Sequence, residues 1–376
     1  EQVFFDDFND FRISPSTSGV GDLWMAPGWN TAVGGSAQIM LPDRKPNVYG
    51  HDSDKGLQTL SLVKSDDRYF ASGICSINDL GQGYSWAGPK IFRIRCMFPK
   101  HNSDEIPGGL FPAFWSYGSE FLYWRTSNRI ECDFFEFDGI GPSYLNGLST
   151  HIHYPHVKSS FVMSTNSYTR GKGFGGKLDE QVTGIPGGLE IWDGIFHTWE
   201  FILDDEITYI NVSYPDPDDD KKEKWIEIFR MPTSPTYLER LYLLADYALK
   251  ANQGVPEQRE DFIIDWIEVC QKTENIQKVP DIFTARPEIS GTPSAGHTLT
   301  CSAQASGITD FRYYWFADNY PLTYGASSEL AVTEELAGRT VRCMVKAVGA
   351  RDMPEAWSAA VNIADKDIST TAITLK

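Results

Sequence analysis

A chain of 376 residues is too long for one average domain and suits two. Its 41% hydrophobic and 22% charged content excludes a disordered chain, and a net charge of −18 argues against nucleic acid, whose phosphates would repel it. No stretch approaches the roughly 20 apolar residues of a membrane helix, so no membrane partner is expected. Aromatics reach 13%, with 11 Trp, a composition that permits work on neutral polymers such as glycans.

The opening EQVFFDDFND has neither a basic region nor an apolar run, so no signal peptide is read in it. Short runs rich in aromatic and β-branched residues follow, among them KGLQTLSLV, KIFRIRCMF, WEFILD, ITYINVSY, KWIEIFRM and DFIIDWIEV, separated by Gly, Pro, Asn and Asp. Many short strands with turns between them predict an all-β fold of two packed antiparallel sheets, a sandwich or jelly roll. YLERLYLLADYALKA is the one helix-like stretch, but its Leu and Tyr spacing also fits a buried strand, and strand is expected. The composition then shifts. Residues 1–272 form the first domain, 273–286 a linker, 287–365 a second β domain rich in small residues, and 366–376 a tail. In the second domain Cys301, Trp315 and Cys343 stand in the order found in immunoglobulin-type sandwiches. The segment resembles bacterial and phage Ig-like modules. That resemblance implies a Cys301–Cys343 bridge in an oxidising compartment and two packed thiols in a reducing one. Six cysteines in all are too few for a disulfide scaffold, and the other four sit inside apolar strand-like runs, as expected of buried free thiols.

The sharpest signal is RIECDFFEFDG, residues 129 to 139. On a strand, Glu131 and Asp133 point one way while Cys132 and Phe134 point the other. Strict alternation would send Glu136 to the core, but one extra residue, a bulge at Phe134–Phe135, would return it to the acid face. Stability alone would not select three carboxylates on one stripe, because like charges side by side weaken a sheet. Hydrolysis of a glycosidic bond needs two carboxyls, one protonated and one ionised.

The Glu-x-Asp-x-x-Glu pattern resembles the signature of glycoside hydrolase family 16, a concanavalin-like jelly-roll group. VFFDDFND, FRIRCMFP, GGLFPAFWSYG, HIHYP, FHTWEF and IDWIEV are similar to further landmarks of that family in the same order. The resemblance implies a retaining endo-β-glycosidase with Glu131 as nucleophile, Glu136 as general acid/base and Asp133 between them. It also implies Trp115 and His153 beside the substrate, with Trp124, Arg95 and Trp199 as further substrate-side candidates. The chain departs from the family pattern at three positions that bear on the sugar: Arg93 replaces a family Glu, Phe111 a Trp, and Leu203 another Trp. A structural calcium is implied through Asp265, Gly56 and Asp7, with no cofactor needed for catalysis.

Other motifs are weaker. GKGFGG at 171–176 lacks the strand-then-helix context of a nucleotide loop and suits a glycine-rich loop beside the cleft. His151, His153 and His156 lack a carboxylate to complete a metal set. DPDDDKKE at 216–223 has Lys221 where a calcium loop demands Gly, so a charged hairpin turn is expected. The expected partner is therefore a polysaccharide, such as a β-glucan, a galactan or a bacterial surface polymer. The setting that follows is extracellular or virion-associated, as part of a larger surface or tail assembly. The alternative is a lectin-like or adhesion protein on the same fold.

Overall fold

In a computed structural model the structure describes residues 1–19, 22–28, 33–101, 109–119, 128–138, 156–165, 167–170, 174–216, 218–249, 257–325, 327–350 and 353–365. The chain divides into two compact units, Glu1–Asn275 and Ile276–Lys376. No described helix is long and apolar enough to cross a membrane.

The first unit is a sandwich of two sheets that join along one edge into a single curled 18-stranded sheet, antiparallel but for short edge pairings. One sheet contains β1 (Gln2–Asp6), β5 (Tyr49–Asp52), β6 (Leu57–Ser65), β8 (Lys90–Met97), β14 (Phe196–Leu203), β15 (Ile207–Asp216), β16 (Asp219–Pro232) and β18 (Glu260–Gln271). Within it β18 pairs with β8 on one side and with β6 and β1 on the other, and the order runs on through β14, β15 and β16. The opposing sheet is centred on β9 (Leu110–Gly118), β10 (Asn128–Asp138) and β17 (Leu241–Leu249). To one side lie β11 (His156–Thr165), β12 (Ser167–Arg170) and β13 (Phe174–Lys177). To the other lies β7 (Arg68–Cys75), with the two-residue strands β2 (Ile13–Ser14), β3 (Trp24–Met25) and β4 (Gln38–Ile39) at that edge. The jelly-roll sandwich expected from the strand pattern is the observed fold.

Alternation explains how the sheets face each other. In β8, Phe92, Ile94 and Cys96 are buried while Ile91, Arg93 and Arg95 are half-buried on the other face. Phe92 meets Phe134 of β10 at 5.2 Å between ring centroids, and Phe134 stacks on Phe201 of β14 at 4.7 Å. Phe98 and Phe262 stack at 5.2 Å beside them. These aromatic pairs form the interlayer core. Strand β17 is buried along all 9 residues, which is why its text shows no polar alternation; the strand reading of this segment holds.

The second unit has a three-stranded sheet of β19 (Glu288–Gly291), β20 (Thr298–Ser302) and β23 (Glu329–Ala331). Its other sheet is built from β21 (Asp310–Ala317), β22 (Tyr320–Gly325), β24 (Thr340–Val348), β25 (Glu355–Trp357) and β26 (Val361–Asn362). Cys301, Trp315 and Cys343 are all buried in its core, with Trp315 opposite Cys343 across β21 and β24. The segment read as a linker contributes too: Phe283 is buried in the same core, with Val279 and Ile282 packed against it. The tail from residue 366 lies outside the described residues.

Candidate active site

Strand β10 lies between β9 and β11, in the middle of its sheet. Its pairing slips between Asp133 and Phe135 on the β9 side and between Asp133 and Glu136 on the β11 side. Both slips insert one extra residue into β10, the bulge that the spacing of the acids requires. Cys132, Phe134, Phe135 and Phe137 are consequently all fully buried. Phe134 contacts Phe92, Phe114 and Phe201, while Phe135 lies against Phe98, Phe137 and Trp199. Glu131 and Glu136 are half-buried and Asp133 is 4% exposed.

Register defines the acid face. Glu131 stands opposite Tyr117, Asp133 opposite Trp115 and Glu136 opposite Ala113 on β9. One strand further, Trp115 is opposite Leu244 and Ala113 opposite Asp246 on β17. Trp115 meets Tyr117 edge-on at 4.8 Å, and its indole Nε1 donates to Asp246 Oδ1 at 2.6 Å. Both belong to an apolar cluster with Val33, Cys75, Ile77 and Leu244, which leaves Trp115 only 5% exposed. Trp115 is thus on the expected face, but its ring is covered rather than offered as an open platform.

Asp246 is a fourth carboxyl on this face that sequence reading missed. Burial pushes its pKa up to about 7, and the negative charge of Glu136 adds to this, while donation from Trp115 and from the Gly34 backbone pulls the other way. The available signal was the single acid in LYLLADYAL, a strand otherwise free of charge. Buried acids are costly without a purpose or a partner.

Other predicted residues fall elsewhere. Arg95 is on the outward face of the opposite sheet, where Nε donates to Asp265 at 2.9 Å and Nη1 pairs with Glu223. The alternation that buries Ile94 and Cys96 turns Arg95 away from the acid stripe, so it is an ion-pair residue of the outer face. Arg93 does the same with Glu200 and Glu268. Trp199 is fully buried between the sheets against Phe135 and Phe137, which removes it from any sugar-stacking role. His153, Trp124 and His151 lie outside the described residues, and His156 is described by its backbone alone. Of the glycine-rich segment, Phe174–Lys177 is not a loop but strand β13, paired with His156–Ser159. Of the acidic run at 216–223, Asp216 ends β15 and Asp219 opens β16, and the two face each other at the tip of the charged hairpin that the sequence predicts.

Asp7, Gly56 and Asp265 do gather. A Cβ on Gly56 would meet the Asp7 carbonyl at 2.7 Å, and the Asp7 charge reaches Asp265. Asp265 already has a cation in Arg95, however, and a calcium ion would sit against that guanidinium. No group of three or more His, Cys, Asp or Glu side chains among the described residues is arranged for a metal. These residues are a poor fit for calcium. Arg95→Met is expected to leave any activity unchanged and to cost about 1 kcal/mol or less, because the pairs are partly solvated. A fall in kcat/KM with unchanged stability would return Arg95 to the substrate side.

No family model matches the chain, and no curated protein matches it. Among solved structures it is similar to a Bacteroides ovatus mixed-linkage-glucan glycoside hydrolase of family 16 in complex with a product. The identity is 20%, over 71% of this chain and 99% of that one, with a TM-score of 0.48. The laminarinase of a Flavobacterium species is 19% identical over 72% of this chain and all of its own, TM-score 0.47. The Bacillus licheniformis β-glucanase is 14% identical over 72% of this chain and 99% of its own, TM-score 0.42. At such values the likeness says nothing of the chemistry, which rests on the residues of the acid face.

Proposed function

We propose that the first unit is a retaining endo-β-glycosidase that cleaves a polysaccharide. The observation carrying this reading is the bulge in β10, which sets Glu131, Asp133 and Glu136 on one face while burying both Phe134 and Phe135. In this reading Glu136 protonates the glycosidic oxygen as Glu131 attacks the anomeric carbon, and the leaving sugar departs. Water, deprotonated by Glu136, then breaks the glycosyl–Glu131 ester. In the same reading Asp133, almost fully buried between them, is the carboxyl that, when protonated, would donate to the nucleophile and hold the two charges apart. The stereochemistry tests this. Proton NMR of the first-formed product is expected to show the β anomer ahead of mutarotation. An initial α anomer would mean inversion and would remove the nucleophile role from Glu131.

The second unit supports an extracellular or virion-associated setting, through its resemblance to Ig-like modules. Cys301 and Cys343 interact as buried thiols in the structure. Glutathione-buffered oxidation is expected to join them, with loss of two hydrogens by intact mass. Closing a loop of about 40 residues should raise stability by roughly 4 kcal/mol. Oxidised protein that retains both thiols would contradict the expectation.

A further inference from the structure

We propose that Asp246 is a positioning residue of the acid face: it holds the Trp115 indole in place and sets a buried carboxyl on the same face as Glu136, across the Ala113 side chain. The geometry is specific. Glu136, Ala113 and Asp246 occupy successive register positions on β10, β9 and β17, so they share a face two strand spacings wide. Ala113 places only a methyl group between the two carboxyls. Asp246 is 3% exposed and accepts the 2.6 Å hydrogen bond from Trp115. Its space depends on Gly73, opposite it on β7, where a Cβ would come within 2.9 Å of the Asp246 Cβ. The segment after Val33 seals this end of β17: Ser36 N donates to the Leu249 carbonyl at 2.7 Å, and Leu249 N to the Gly34 carbonyl at 3.1 Å.

Among the described residues, few titratable groups surround Asp246. Cys75 of β7 and the Tyr49 hydroxyl are pushed far up by burial and stay neutral. Tyr242 shares its strand, and Asp133 stands opposite Trp115. Among the described residues, Glu136 is the charge that bears on it. The negative charge of Glu136 makes the Asp246 carboxyl hold its proton more tightly. The part this face plays in hydrolysis rests on the glycosidase reading; the effect of Glu136 on Asp246 does not.

The test is carbon-13 NMR titration of the side-chain carboxyls in the full chain, without substrate. One resonance is expected to titrate near pH 7 and to vanish in Asp246→Asn. In Glu136→Gln it should move down by roughly one pH unit, because the like charge is gone. In Trp115→Phe it should move up, because a donor to the carboxylate is lost. Folding gives a second readout. The folded state binds the Asp246 proton more tightly than the unfolded chain, so stability falls as pH rises from about 4 to about 7; buried Asp6, raised to about 6, adds a fall over the lower part of that range, and Asp246→Asn should remove the part that continues to about 7. An Asp246 resonance titrating near pH 4, or one that ignores Glu136→Gln, would overturn the proposal whether or not the protein hydrolyses a glycan.

Discussion

Glu131→Gln and Glu136→Gln are each expected to lower kcat/KM by about 10³-fold or more while the protein stays folded. Glutamine keeps the shape and a hydrogen-bonding oxygen of the side chain but can neither attack the anomeric carbon as an anion nor donate and retrieve a proton. The two losses should differ in kind. Without Glu136, substrates with an acidic leaving group that needs no protonation should lose far less than the natural polymer, and azide should restore turnover by replacing the water that Glu136 would deprotonate. Without Glu131, neither remedy should help. Stability should not fall in either variant, because both residues are half-buried members of a like-charged stripe. Removing one negative charge is expected to raise stability by a few tenths of a kcal/mol, as at other sites where function is held against stability. Urea unfolding of each variant beside the wild type checks this, and a parallel loss of fold and activity would give the acids a structural role instead.

The largest effect on stability is expected from Phe135→Ala, at about 3–5 kcal/mol, read as a lower urea midpoint with an unchanged slope. Its ring lies 5.1 Å from Trp199, 5.7 Å from Phe98 and 5.6 Å from Phe137, so truncation opens a cavity that rigid neighbours cannot close. Phe135 also keeps the bulge in register. With a small side chain there, β10 could revert to regular pairing, which would turn Glu136 toward the core. Activity is therefore expected to fall further than the lost stability accounts for when measured well below the unfolding midpoint. A variant that is destabilised yet fully active would show that the bulge is held by other contacts.

The bulge was legible because two independent constraints agree in RIECDFFEFDG. Three acids exclude one face from the core, and two adjacent Phe both require it, which only an extra residue reconciles. Arg95 and Trp199 were misplaced for a shared reason. Alternation separates the two faces of a strand but does not say which sheet the strand joins. Both residues belong to the sheet opposite the acids, Arg95 on its outer face and Trp199 on its inner one. Asp246 stayed hidden because β17 is buried on both faces, so its text has no period by which to assign a side chain to a face. Gly73 and Ala113, which make room for it, come from strands distant in sequence.

The most direct measurement is a reducing-end assay of the chain beside Glu131→Gln, over laminarin, lichenan, agarose, carrageenan, xyloglucan and bacterial exopolysaccharides. Release of new reducing ends from one polymer by the wild type, absent in the variant, is the predicted result. Equal release by both proteins would contradict the assignment of chemistry to the bulged strand, and binding of a polymer without cleavage by either would make the acid face a lectin site.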